Sequence, residues 1–135
     1  MSDDLQGTPV LVHPDLPHDP ARKQNEIGLI RIANVFCDEF LVGFADEKKG
    51  LYAADALLVL LPAEEIHQNL ADLAYETPFA ELKALTQIDL FLRYGSESKK
   101  LAAMQLARDN PAVRLLCLDT LQNQIIKNID QKFSR

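Results

Sequence analysis

Glycine and proline punctuate the first 62 residues of this chain and almost vanish after them. Four of five glycines (Gly7, Gly28, Gly43, Gly50) and five of seven prolines (Pro9, Pro14, Pro17, Pro20, Pro62) lie at or before Pro62. Breakers at such short spacing permit strands and turns but no long helix, and their loss lets helices run. The pattern predicts an α+β chain with a strand-rich lobe over residues 1–62, including a long proline-rich loop at 13–26, and a helical lobe over residues 63–135. Charge divides at the same place: the first lobe holds ten acids and five bases, the second ten acids and nine bases. The net charge of −6 makes the average surface repel a phosphate backbone, so nucleic acid is the less expected partner.

In the first lobe, Thr8 to His13 is a β-prone run, and Ile27 to Ile32 opens a second one after the long loop. Phe40-Leu41-Val42-Gly43-Phe44 alternates at period two, placing Phe40, Val42 and Phe44 on one face. Asp38-Glu39 and the segment Asp46 to Gly50 supply turns, Leu51-Tyr52 opens a fourth strand, and Ala56 to Leu61 continues apolar. So few short antiparallel strands hide their edges best by curling up, which predicts a small barrel.

The order of strand, long loop, Gly28-Leu29-Ile30, Phe40 to Phe44, a charged turn ending in Gly50, Leu51-Tyr52 and Leu57-Leu58-Val59-Leu60 resembles the SH3-like small barrels, including Tudor-type and KOW-type modules. The resemblance covers residues 7–62. Peptide-binding SH3 domains carry a tryptophan that this chain lacks, so proline-ligand recognition is not implied.

The second lobe predicts about four helices. Ala63 to Tyr75 carries Ile66, Leu70, Leu73 and Ala74 on one stripe. Thr77-Pro78 caps a helix that repeats Phe79, Leu82, Leu85, Ile88 and Leu92 until Gly95. Ser96 caps a third, Glu97 to Arg108, with Leu101, Met104 and Ala107 inward. Asn110-Pro111 caps a fourth, whose i+4 ridge is Val113, Cys117, Leu121, Ile125, Ile129 and Phe133. Ala107 to Leu118 resembles the turn and second helix of a HEAT-type repeat, over about residues 98–121. Solenoids need about three or more repeats, so a compact bundle is expected.

Several clusters bear on chemistry. His13, Asp15, His18 and Asp19 crowd the long loop and form a metal-ligand set if they converge, although their spacing matches no established motif and Asx turns with solvated histidines are the favoured explanation. Lys48 and Lys49, with Phe36, Phe40 and Tyr52 between strands, are the candidate ligand-binding residues; Asp46 and Glu47 beside them weaken any claim on phosphate. Cys37 and Cys117 read as buried, reduced thiols. No nucleophile elbow or phosphate-cradling glycine loop occurs, and no cofactor is expected. The last helix is apolar on more than one face, which makes Leu115, Leu118, Ile125, Ile126 and Ile129 the candidate interface. The expectation is a cytosolic, non-enzymatic interaction or adaptor module, homodimeric or bound to a protein partner through its C-terminal helices. A nucleic-acid-associated small barrel and a metal-dependent enzyme at the His13–Asp19 loop are the alternatives. No apolar run is long enough to span a membrane.

Overall fold

A computed structural model of the chain describes residues 5–17, 19, 22–73, 78–95 and 97–133. The first unit comprises Met1–Val59 and Asp119–Arg135, the second Leu60–Leu118. The sequence reading places all of residues 63–135 in one helical lobe, whereas the segment from Asp119 onward groups here with the strands.

The first unit is built on a six-stranded sheet in the order β4-β3-β2-β1-β5-β6. Its strands are β1 (Pro9–Val12), β2 (Ile27–Asn34), β3 (Glu39–Phe44), β4 (Lys49–Tyr52), β5 (Leu57–Leu60) and β6 (Leu118–Thr120). The β1–β2, β2–β3, β3–β4 and β1–β5 pairings are antiparallel. The period-two alternation of β3 is realised: Phe40 and Val42 are fully buried and Phe44 nearly so, in a core with Val10, Val12, Ile30, Tyr52 and Leu57. Gly28 is required by close packing, since a Cβ there would stand 2.5 Å from Val42 Cγ1.

The sheet is open, not closed into the small barrel expected from the sequence. Among the described residues β4 and β6 stand at its two ends. The apolar face that a barrel would cover by curling is covered instead by helix α5 (Leu121–Phe133), which sends Leu121 into the core and packs Ile125 against it.

That helix corrects the expectation of one long C-terminal helix. The ridge from Val113 to Phe133 is split into α4 (Pro111–Cys117), β6 and α5. Leu118 is extended, with φ −122° and ψ 148°. Asp119 and Thr120 then offer the backbone alternatives to helix: Asp119 Oδ1 accepts from Thr120 N at 2.8 Å, and Thr120 Oγ1 accepts from Asn123 N at 3.2 Å, capping α5. Asp119 also accepts from the side chains of Asn123 and Gln124, at 2.9 and 3.2 Å.

The second unit carries α1 (Ala63–Leu73), α2 (Phe79–Tyr94), α3 (Glu97–Asp109) and α4. The helical stripes read from the sequence supply its core, where Ile66, Ile88, Met104, Ala107, Val113 and Cys117 are fully buried. Asn110 stands at the N-cap of α4 and Pro111 opens it, as expected, although the Asn110 side chain makes no capping bond there. Thr77 and Ser96 lie outside the described residues, Pro78 precedes α2 instead of opening it, and Asn110 Nδ2 donates to Leu106 O at 2.7 Å, closing α3. Asp89 is buried on α2, accepting from Arg93 Nε at 2.9 Å and facing His67 Nδ1 of α1 at 3.6 Å.

Of the two cysteines expected to be buried, Cys117 is and Cys37 is exposed in the β2–β3 turn. Burial pushes the Cys117 thiol up to about 12, and its Sγ donates to Val113 O at 3.1 Å. Native protein treated with a thiol-modifying disulfide reagent at neutral pH is expected to react at Cys37 alone; denatured protein reacts at both. Rapid modification of Cys117 in the folded chain would contradict its placement.

Candidate functional site

The β3–β4 turn runs from Phe44 to Lys48, with Phe44 N–H donating to Lys48 O at 2.9 Å and Glu47 N–H to Phe44 O at 3.0 Å. Glu47 takes the left-handed conformation at φ 69°, the geometry of a three-residue hairpin loop. Lys23, from the long β1–β2 connection, reaches this turn and pairs with Asp46, with its ammonium 5.4 Å from the Phe44 ring centroid. The hydrogen bond from Lys23 holds the Asp46 carboxyl below the usual range, helped by the backbone N–H of Lys48, and the same bond raises Lys23.

Asp19 belongs to the same connection. It is buried and accepts from Tyr52 Oη at 3.0 Å and from Lys23 N at 2.8 Å. Burial, and then the adjacent Asp19 carboxylate, pushes the Tyr52 phenol well above its ordinary value. These contacts explain the acidic residue that the sequence offered as a metal ligand: Asp19 pins the loop to β4. His13 Nδ1 accepts from Asp15 N at 3.1 Å, and His18 lies outside the described residues. Among the described residues His13, Asp15 and Asp19 do not assemble into a metal-holding group.

The outer face of the β2–β3–β4 meander is different in kind. Register places Ile32 opposite Leu41 and Leu41 opposite Leu51, forming an apolar row across three strands. Ile32 is 62% exposed and Leu51 59% exposed. The pairing shifts between Ile30 and Ile32, and this bulge leaves both Arg31 and Ile32 exposed. Beside the row lies an open groove of about 530 Å³, lined by Arg31, Ile32, Leu41, Gly43, Glu47, Lys48 and Lys49 among others. Gly43 makes the groove: a Cβ there would fall 2.8 Å from Arg31 Nε, so the missing side chain is what lets the arginine lie across the strand.

The candidate binding residues thus separate. Lys48 and Lys49 line the groove, whereas Phe40 is fully buried and Tyr52 is committed to Asp19. Phe36 is 95% exposed at the β2–β3 turn, away from the groove lining. Sequence reasoning missed Arg31, Ile32, Leu41 and Gly43; the apolar-basic mixture of Ile30-Arg31-Ile32 was visible, but the bulge that turns two consecutive side chains outward was not. In the candidate helical interface, Leu118 is buried, Ile125 packs against the sheet core and Ile126 is half exposed. The side chains of Leu115 and Ile129 lie outside the described residues. In the second unit, Leu82, Thr86 and Leu90 line an open cleft of about 390 Å³ on α2.

No family model, curated protein or solved structure matches this chain. Among the described residues no helix is long and apolar enough to cross a membrane.

Proposed function

We propose that the chain is a non-catalytic protein-interaction module whose working surface is the outer face of β2, β3 and β4. The observation that carries this reading is the cross-strand row Ile32–Leu41–Leu51, exposed at both ends beside a cation-lined groove. Aliphatic residues gathered in register on a solvent-facing sheet surface gain most free energy when a partner covers them. Two further features support kinship with the SH3-like small barrels as a scaffold: β1 lies between β2 and β5 in the strand order, and a 3₁₀ turn (Ala54–Ala56) separates β4 from β5. In that reading the loops are anchored and the sheet surface does the binding.

A photo-reactive amino acid placed at position 51, and separately at exposed Glu64 on α1, tests the surface in extracts of the source cells. Position 51 is expected to give discrete cross-linked protein species that Ile32→Asp suppresses. Position 64 is expected to give none of them. Equal yields from both positions, or no product from position 51, would contradict the reading. Cross-links joining two copies of this chain would identify the partner as a second copy.

A further inference from the structure

The interface reading above is the foundation for a sharper one: we propose that the docked segment is an acidic, aliphatic strand of a protein partner, added to the edge of β4. Three observations lead to it. First, among the described residues β4 ends the strand order on its side. Second, Phe44 N–H donates to Lys48 O, so alternation along an antiparallel ladder turns the backbone groups of Gly50 and Tyr52 toward β3 and those of Lys49 and Leu51 toward the outer edge. Third, the side chains of Lys49 and Leu51 are both exposed, and Lys49 shares the groove with Arg31 and Lys48 against a single lining acid, Glu47.

An added strand pairs its backbone with Lys49 and Leu51 and sets its own side chains directly opposite theirs. Complementarity then specifies the ligand. The residue facing Lys49 is a carboxylate, and the residue two positions away, facing Leu51, is aliphatic. Three cations in a lobe that is otherwise acidic attract such a segment over a neutral or basic one.

Two other occupants fit less well. If β4 paired with a second copy of itself about Gly50, each Lys49 would face a leucine, and about Lys49 two ammonium groups would meet. Single-stranded nucleic acid needs aromatic platforms for its bases, but Ile32 and Leu41 line the groove, and its aromatic residue, Phe44, is buried.

The test is a titration of isotope-labelled full-length chain, followed by backbone amide resonances. The probes are a short capped peptide alternating Glu and Val, its Lys-for-Glu counterpart, the Glu-Val peptide methylated on its backbone nitrogens, and oligothymidylate. The Glu-Val peptide is expected to shift Arg31, Gly43, Lys49 and Leu51 saturably and to weaken with salt. Lys49→Glu is expected to reduce its affinity about tenfold or more and to confer binding of the Lys-Val peptide, which shows that the variant is folded. Equal binding of the Lys-Val or methylated peptide to the unaltered chain, or oligothymidylate shifting the same residues instead, overturns the proposal. So does the absence of any response. If the peptide fails while cross-links from position 51 persist, the acidic-strand inference falls and the interface reading stands; if both fail, both fall.

Discussion

Replacing Phe40 by alanine is expected to lower the stability of the first unit by about 3–5 kcal/mol, whereas Phe36→Ala is expected to leave it within about 0.5 kcal/mol. Phe36 lies in the β2–β3 turn and Phe40 just after it, and the alternation that marks Phe40 as inward says nothing of Phe36. The structure separates them completely, since Phe40 is fully buried on β3 and Phe36 is 95% exposed. Deleting the Phe40 ring opens a cavity between Ala33, which packs on the core, and Tyr52, its register partner across β4. Urea unfolding followed by circular dichroism measures both variants. Comparable losses would mean that the β2–β3 turn is folded down over the core and that the outer face is not exposed as described.

The second large effect is expected from Asp19→Ala. This substitution strands two buried donors at once, the Tyr52 hydroxyl and the Lys23 backbone N–H, and each such loss costs about 1–3 kcal/mol. A total of about 2–4 kcal/mol is expected, with Tyr52→Phe costing less and the double variant falling short of the sum because the two side chains share one interaction. Additive losses in that cycle would contradict the contact. The same network fixes a pH window. Asp46 has its folded value lowered, so the stability it contributes is present above its ordinary value of 3.8 and is lost as pH falls. Tyr52 and Lys23 have theirs raised, so their contributions are present below their ordinary values of 10.0 and 10.5 and are lost as pH rises. Unfolding at constant urea is expected to be least between these limits, and Tyr52→Phe is expected to reduce the alkaline loss.

Much of this fold is legible in the residues themselves. Alternation at Phe40, Val42 and Phe44 marks a half-buried strand, and the three- and four-residue spacing of Leu85, Ile88 and Met104-Ala107 marks helical faces. Both signals are local, and both survive in the structure because burial rewards the same residues the pattern names. The C-terminal ridge misleads for a related reason. Its i+4 spacing is intact across residues 117–121, yet Asp119 and Thr120 are cap-forming residues, and the hydrogen bonds they make outweigh the continuity of the apolar stripe. A Thr-Leu-Gln-Asn start, read as a helix N-terminus, would have exposed the break. The proposed binding face is hidden by a different cause. A one-residue bulge between Ile30 and Ile32 changes which side chains face outward, and the empty space at Gly43 matters only because Arg31 crosses it. Neither is encoded in periodicity. Asp19 stands out in the sequence for its chemistry, but its partner, Tyr52, lies 33 residues away and is reached only through the sheet.

Amide hydrogen exchange along β4 in the isolated chain tests the proposed open docking edge most directly. Gly50 and Tyr52, which face β3, are expected to exchange slowly, while Lys49 and Leu51, which face outward, exchange at rates close to those of exposed peptide. Addition of the Glu-Val peptide is expected to protect Lys49 and Leu51 and to leave the other two unchanged. Uniform protection of all four amides in the dilute, unliganded chain would mean that another strand already occupies the edge, and would contradict both the open sheet and the docking of a partner upon it.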